Sequence, residues 1–157
     1  MSLHPIEQRL KDLGLSLPPP VAPKGNYVPV VQTGNLIHLS GHLPQKADGT
    51  LITGKLGKDL TVEQGYESAQ ACALQLLATL SNHIGGDWAK VVKLVKVVGF
   101  VQCSDDFHQQ PAVINGASDT FVKVLGPEIG MHARSAVGTN ALPLNIATEV
   151  ECIFEIQ

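Results

Sequence analysis

Residues 90–103 read KVVKLVKVVGFVQC, and the fold depends on whether this stretch forms a helix or a strand. Its lysines, Lys90, Lys93 and Lys96, recur at the spacing of one helix face. Its valines are β-branched and favour a pleated surface, so we predict a strand. Both faces of that strand are largely apolar. A sheet buried on both sides needs helices on one side and another cover, such as a second subunit, on the other.

The segment before this strand carries the clearest helix pattern in the chain. Thr61 and Gln64 have the spacing of a capping box, which marks a helix start. Apolar residues then recur at every third or fourth position until Gly85-Gly86 ends the pattern. We therefore predict a helix over residues 62–84.

The segment after the strand shows one helical pattern followed by two extended ones. Residues 111–125 have an apolar stripe at helical spacing, with proline in the first turn and Gly-Pro after the last. Two strands are predicted next, at 133–139 and 147–156. In the last one, apolar residues alternate with Glu149, Glu151 and Glu155, which places one face in the core and three carboxylates on the other.

The beginning of the chain reads as a short helix over residues 5–13, with Ile6, Leu10 and Leu13 on one face, followed by a stiff proline-rich lead-in. We treat residues 1–24 as an N-terminal extension of the main domain, 25–157. Residues 27–40 predict a hairpin of two antiparallel strands, and residues 41–57 predict a surface loop. The order β-β-α-β-α-β-β predicts an α+β fold, a mixed sheet with two helices on one face.

The composition excludes several classes of protein. With 157 residues, of which 44% are hydrophobic, the chain can fill one core but not two. A formal charge of −3 gives no support to nucleic-acid binding, and no apolar run is long enough for a membrane span. We expect a cytoplasmic protein without nucleic-acid or membrane partners. Cys72, Cys103 and Cys152 are odd in number and widely spaced, which indicates core thiols rather than disulfides or zinc ligands.

Familiar catalytic and cofactor motifs are absent from the sequence. There is no glycine-rich dinucleotide or phosphate loop, no Cys-x-x-Cys and no His-Glu-x-x-His. The six histidines show no metal-ligand spacing. Neither Ser40 nor Ser135 is set in a nucleophile elbow. We therefore expect no cofactor, no metal and no serine nucleophile.

Arg134 is the best candidate for a functional residue. It lies near the start of a predicted strand, among the small residues Ala133, Ser135 and Ala136, which leave a hollow around it. A planar guanidinium in a hollow can bind a carboxylate through two parallel hydrogen bonds. The alternative from the sequence alone is a structural ion pair with Glu149 or Glu151 on the adjoining strand.

Two groups of motifs resemble the YjgF/RidA imine deaminase family. The opening is GNYV at 25–28 followed by GNLIHLSGHLP at 34–44, which is similar to the family's G-P-Y-x-x-A/G and G-x-x-I-x-x-S-G-Q-x-P. The closing group is ARS at 133–135, LP at 142–143 and TEVE at 148–151, similar to P-A-R-S, L-P and V-E-I-E. Asn115 and Phe121 fit the helix pattern N-x-x-Y-x-x-F. The likeness extends from residue 25 to the C-terminus.

The resemblance implies a chorismate-mutase-like fold that assembles as a homotrimer, with sites between neighbouring subunits. It implies hydrolysis of 2-imino or enamine acids, such as 2-aminoacrylate, to 2-keto acids and ammonia. Arg134 would bind the substrate carboxylate and Glu149 would position the attacking water. The other residues that it places in the site are Tyr27, Ser40, Gly41, Asn115 and Ala136.

Several positions depart from the family pattern. His42 stands where glutamine is usual, His132 where proline is common, Ala136 where the family has cysteine and Gly138 where glutamate is frequent. A water held by the backbone carbonyl of residue 136 would survive the loss of the cysteine. Together with the N-terminal extension, these changes indicate a divergent subgroup whose substrate can differ.

Other functions remain open at this point. The same arginine could hold a small carboxylate metabolite in a non-catalytic binding or regulatory module. A chorismate mutase would need several cationic groups around its dicarboxylate, and the sequence offers little beyond Arg134. Ribonuclease activity is attached to the family through the name endoribonuclease L-PSP. The sequence has no basic groove or histidine pair to support it.

Overall fold

The computed structural model describes residues 2–157, which form one five-stranded sheet with helices on one of its faces. The helices are α1 (Pro5–Asp12), α2 (Val62–His83), α3 (Gln110–Leu125) and the short α4 (Pro127–Gly130). The strands are β1 (Val30–Thr33), β2 (Leu36–His42), β3 (Val91–Gln102), β4 (Ala133–Thr139) and β5 (Thr148–Ile156). The predicted α+β architecture is confirmed.

Local sequence signals account for most element boundaries. The predicted capping box at Thr61 and Gln64 is present, with both reciprocal hydrogen bonds formed. Gly34, at the hairpin turn, has a φ of 58°, a conformation that glycine adopts without strain. The predicted first helix is one residue shorter than expected, because it ends at Asp12, and Leu13 lies beyond it and is 43% exposed. Helix α4 was not predicted.

The sheet has the strand order β1-β2-β5-β3-β4. β5 enters between the hairpin and β3 and is antiparallel to both neighbours. β3 and β4 run parallel, which makes the sheet mixed, as predicted. One consequence differs from the sequence-based expectation: β5 does not adjoin β4, because β3 lies between them.

One face of the sheet packs against α2 and α3 and forms the core. β3 presents Leu94, Val97 and Val101 to this face, all fully buried. α1 belongs to the same core, since Ile6 is fully buried and Leu10 is nearly so. Arg9 also ties α1 to the end of α3 by donating to the carbonyl oxygen of Leu125 at 3.2 Å.

The opposite face, called the open face from here on, carries no helix. Glu149, Glu151 and Glu155 lie on it, as the alternating pattern of β5 predicted. Exposed apolar side chains share this face with the carboxylates: Val31 is 55% exposed, Leu36 38% and Val137 44%. The register places these residues in line with open-face residues of the neighbouring strands.

Two further expectations concern cysteines and membranes. Cys72, Cys103 and Cys152 are free and buried, so the prediction of core thiols is confirmed. Burial raises the pKa of the Cys72 thiol to about 12, which keeps it protonated and unreactive. No helix within residues 2–157 is both long and apolar enough to cross a membrane.

A candidate active site in two halves

A β-bulge shapes the part of β2 that carries the Ser-Gly motif. Leu39 pairs with Cys152 and His42 pairs with Val150, so Ser40 and Gly41 together oppose the single residue Glu151. A bulge of this kind bends the strand and redirects side chains beside it. Here it brings the backbone of Gly41 against the side chain of Glu149 on β5.

Glu149 lies in a cavity of about 470 Å³, called the Glu149 pocket from here on. Four of the predicted site residues line it: Tyr27, Ser40, Gly41 and Glu149. The lead-in contributes residues 21–24, including Lys24, and the loop before β5 contributes Pro143 and Leu144. The structure therefore brings together the opening motif and the acidic strand, as the resemblance implied.

The carboxyl of Glu149 is electrostatically unusual. Its loss of solvent raises its pKa, and the neighbouring charge of Glu151 raises it further. A carboxylate whose protonated form is favoured in this way is a better proton acceptor than an exposed one. Glu149 can therefore serve as a general base towards a water molecule held in the pocket.

The polar neighbours of Glu149 have structural hydrogen bonds. Ser40 Oγ donates to the carbonyl oxygen of Val28 at 2.8 Å, which holds the lead-in against β2. His42 Nδ1 donates to the carbonyl of Ser40 at 2.6 Å, and its Nε2 lies 2.7 Å from Thr79 Oγ1. Burial lowers the pKa of His42, so the ring is a neutral structural group. Tyr27 remains half exposed at the pocket mouth.

The second half of the site surrounds Arg134 on β4, the strand at one edge of the sheet. Arg134 Nη1 donates to Asn115 Oδ1 at 2.8 Å and to Ser118 Oγ at 3.1 Å, both on α3. Its Nη2 lies 3.5 Å from the carbonyl oxygen of Pro111, also on α3. The guanidinium is thus held from one side, and its Nε hydrogen and one of the two Nη2 hydrogens are left for a ligand.

The two halves do not meet within one chain. Arg134 pairs with Val97, which faces the helices, whereas Glu149 pairs with Phe100 on the open face. Two strand spacings and a three-residue offset separate their Cα atoms by roughly 14 Å. The expected alternative, an ion pair of Arg134 with Glu149 or Glu151, is therefore wrong, because β3 lies between the two strands. Tyr27 and Asn115 belong to different halves for the same reason.

The departures at positions 136 and 138 have different settings. Ala136 is half-buried on the helix side of β4, two residues after Arg134, and packs against the core. Gly138 is constrained, since a Cβ atom there would lie 2.8 Å from both Cys103 Sγ and Gln110 Nε2. A glutamate at this position would require the side chains of Cys103 and Gln110 to shift. Among residues 2–157, no group of three or more His, Cys, Asp or Glu is placed to hold a metal ion.

Sequence reasoning did not identify the loop that closes one side of the Glu149 pocket. Leu144 and Asn145 have φ values of 59° and 58°, and Leu144 is 55% exposed at the pocket wall. The buried Gln102 holds this loop: its Nε2 donates to Asn145 Oδ1 at 2.8 Å and its Oε1 accepts from the amide of Leu142 at 2.9 Å. Positive φ at a leucine leaves no signal in a sequence.

Comparison with known proteins gives the family. A family model described as "YjgF/chorismate mutase-like, putative endoribonuclease" matches residues 7–156. Protein TCP17 of Trypanosoma cruzi is 42% identical, over 96% of this chain and 94% of that protein. The 2-iminobutanoate/2-iminopropanoate deaminase of Dermatophagoides farinae is 30% identical, over 88% of this chain and 93% of that protein.

The solved structures agree. The crystal structure of Atu1372 from Agrobacterium tumefaciens, a protein of unknown function, has a TM-score of 0.89 and 42% identity, with 98% of this chain and 94% of that one covered. The fold thus lies within one known class of small α+β proteins. The chain belongs to the YjgF/chorismate mutase-like family.

Proposed function

We propose that this protein hydrolyses reactive 2-imino or enamine acids to 2-keto acids and ammonia. One observation carries the proposal, the desolvated carboxylate of Glu149 beside Gly41 in the Glu149 pocket. A pocket that only bound anionic acids would lose affinity by holding a second carboxylate. A group of this kind is useful when a water molecule must lose a proton.

The active site is assembled between two copies of the chain. Arg134 of one copy, with Asn115 beside it, binds the substrate carboxylate through its free guanidinium donors. Glu149 of the neighbouring copy, with Tyr27, Ser40 and Gly41, forms the wall from which water attacks. The open face with its exposed apolar residues supports assembly, and we extend the proposal to a homotrimer.

The chemistry requires orientation more than activation. The imine carbon is already electrophilic, so water adds to it while Glu149 accepts a proton. Glu149 returns this proton to the nitrogen, which completes the carbinolamine. The carbinolamine hydroxyl then gives its proton to Glu149 and through it to the nitrogen, which leaves as ammonia while the ketone forms. The overall balance is imino acid plus water to keto acid plus ammonia. Holding substrate and water in this geometry supplies most of the rate. We assign the backbone carbonyl of Ala136 as an additional acceptor for this water.

The test couples an amino-acid oxidase to the purified protein and follows the loss of a series of 2-imino acids. Wild type is expected to accelerate the loss, and both Arg134→Ala and Glu149→Gln are expected to lower kcat/KM by roughly 100-fold or more. Glu67→Gln, an exposed carboxylate on α2, serves as the matched control and should behave as wild type. Equal loss of imine with and without wild type, for every acid tried, would refute the proposal.

One observation favours a second candidate, a carboxylate-binding module without turnover. Arg134 is oriented for carboxylate binding without Glu149, because Asn115 and Ser118 accept its hydrogen bonds. Calorimetry with 2-oxobutanoate separates the two: binding by wild type that does not accelerate imine loss supports the module. In either case we propose a cytoplasmic protein that takes a small carboxylate and binds neither nucleic acid nor membrane.

A further inference from the structure

Two departures from the family pattern meet in the structure. His132 stands where proline is common, and Ser118 stands at the tyrosine position of the pattern N-x-x-Y-x-x-F. His132 Nε2 lies 2.9 Å from Ser118 Oγ. A serine leaves room that the larger tyrosine would occupy, and the imidazole ring lies in that space beside Phe121. The two changes therefore form one contact.

The hydrogen bonds around His132 have a defined direction. Its Nδ1 lies 2.6 Å from the carbonyl oxygen of Gly130, which can only accept, so Nδ1 carries the proton. In the neutral ring Nε2 is then an acceptor, and the hydroxyl of Ser118 donates a hydrogen bond to it. The oxygen of Ser118 is left as an acceptor for Arg134 Nη1 at 3.1 Å. The chain runs from Arg134 through Ser118 and His132 to Gly130.

This chain determines how the guanidinium is oriented. Nη1 has two hydrogens and donates one to Asn115 Oδ1 and the other to Ser118 Oγ. With Nη1 occupied and Nη2 donating to the Pro111 carbonyl at 3.5 Å, the plane of the guanidinium is fixed, and Nε and one hydrogen of Nη2 are left for a ligand. Without Ser118, only the bond to Asn115 and the long contact with the Pro111 carbonyl would remain, and the group would be held less firmly.

We propose that His132 is a positioning residue that holds Arg134 in its carboxylate-binding orientation through Ser118, and does so only as the neutral Nδ1–H tautomer. The proposal rests on the proposed function for the role of Arg134, but the hydrogen-bond chain itself is independent of turnover. It gives this protein a pH limit that a proline at position 132 could not provide.

The surroundings of His132 favour its neutral form. Burial lowers its pKa most, the bond to the Gly130 carbonyl opposes this, and the charges of Arg134 and Lys93 lower the pKa further. No acid offsets them: Asp119 on α3 accepts from Tyr66, and Glu128 on α4 is exposed. Protonation would turn Nε2 into a donor, deprive the Ser118 hydroxyl of its acceptor and place a positive charge beside the guanidinium.

The first test measures KM and kcat for a 2-imino acid between pH 5 and 8, in the oxidase-coupled assay. One pH unit below the pKa of His132, only a tenth of the molecules keep the neutral ring, so KM of wild type should rise roughly tenfold with a smaller change in kcat. His132→Gln keeps an acceptor for Ser118 that does not titrate, and its KM should stay flat. His108→Gln, an exposed histidine, should follow wild type.

Dividing the KM of each variant by the KM of wild type at the same pH cancels the pH dependence of the imine itself. Ser118→Ala breaks the chain at every pH, so its KM should be raised and pH-independent. If KM of His132→Gln falls and rises with pH as in wild type, the positioning role is refuted.

The second test does not depend on activity. Side-chain ¹⁵N NMR, assigned with His132→Gln, should show the Nδ1–H tautomer of His132 at pH 7.5 and a pKa of His132 below the ordinary histidine value. An Nε2–H tautomer would overturn the proposal even in an active enzyme. If wild type shows no turnover, the dissociation constant of 2-oxobutanoate replaces KM, so failure of the proposed function and failure of this inference remain distinct.

Discussion

A Cβ atom built on Gly41 would lie 2.9 Å from Cδ of Glu149, so the carboxylate occupies the space that a side chain at position 41 would need. We predict that Gly41→Ala displaces Glu149 and lowers kcat/KM by at least tenfold, because misplacement of a catalytic group by about 1 Å can cost roughly 100-fold in rate. The oxidase-coupled assay measures this directly.

The control for this variant must separate loss of stability from loss of position. Gly85→Ala, at a φ of 67° with open space around it, is strained by its backbone alone. It should lower the free energy of unfolding by about 1 kcal/mol and leave kcat/KM unchanged. Equal activity of Gly41→Ala and wild type would contradict the arrangement.

Glu149→Gln should stabilise the protein at pH 7. The raised pKa means that the folded state disfavours the ionised carboxyl, so folding stability falls as pH rises through the ordinary glutamate pKa towards the raised one. The variant removes this cost. Because the group is only partly buried, we expect a gain of about 0.5 kcal/mol at pH 7 and none at pH 4. Urea unfolding at both pH values measures the difference, with Glu67→Gln as control.

Ile6→Ala should cost about 3 kcal/mol of unfolding free energy, because the side chain is fully buried in the common core. Leu3→Ala, at a side chain that is 50% exposed, should change it by less than about 0.5 kcal/mol. Thermal or urea denaturation compares the two. Equal losses would show that α1 is not part of the core.

Local sequence patterns predict the elements of this fold better than they predict the order of its strands. The helix over 62–84, the hairpin and the alternation of β5 follow from local patterns, and each is present. The order of strands does not follow from such patterns. Nothing local to β5 specifies that it enters between β2 and β3, and this position is what separates Arg134 from Glu149.

Only part of the candidate site could be predicted from the sequence. Tyr27, Ser40, Gly41 and Glu149 do meet, as the family motifs implied. The role of His132 could not be predicted, because it depends on a contact with Ser118, 14 residues away in the chain and on another element. The lack of a side chain at Gly138 likewise becomes understandable only once Cys103 and Gln110 surround it.

Leu144→Gly should leave the protein as stable or more stable by about 0.5 kcal/mol, because glycine relieves the strain of a φ of 59°. Leu142→Gly, at a φ of −125°, relieves no strain and should destabilise by about 1 kcal/mol. Urea unfolding of the pair checks the difference. A loss in Leu144→Gly equal to that in Leu142→Gly would show that the leucine conformation is unstrained.

Val31→Asp should convert the proposed trimer to monomers. Val31 is 55% exposed on the open face of a single chain, so the folded monomer tolerates a charge there, whereas a buried interface would not. Light scattering coupled to size exclusion gives the mass. Leu13→Asp, 43% exposed on the other side of the molecule, should keep the mass of wild type.

The central place of β5 has a consequence for biosynthesis. Of the five strands, the one translated last occupies the middle of the sheet. Until it has left the ribosome, β2 and β3 each present an edge without its partner, and the apolar residues of both are open to other nascent chains. The sheet of this protein can therefore close only after synthesis of β5, and until then the edges of β2 and β3 need protection from other chains.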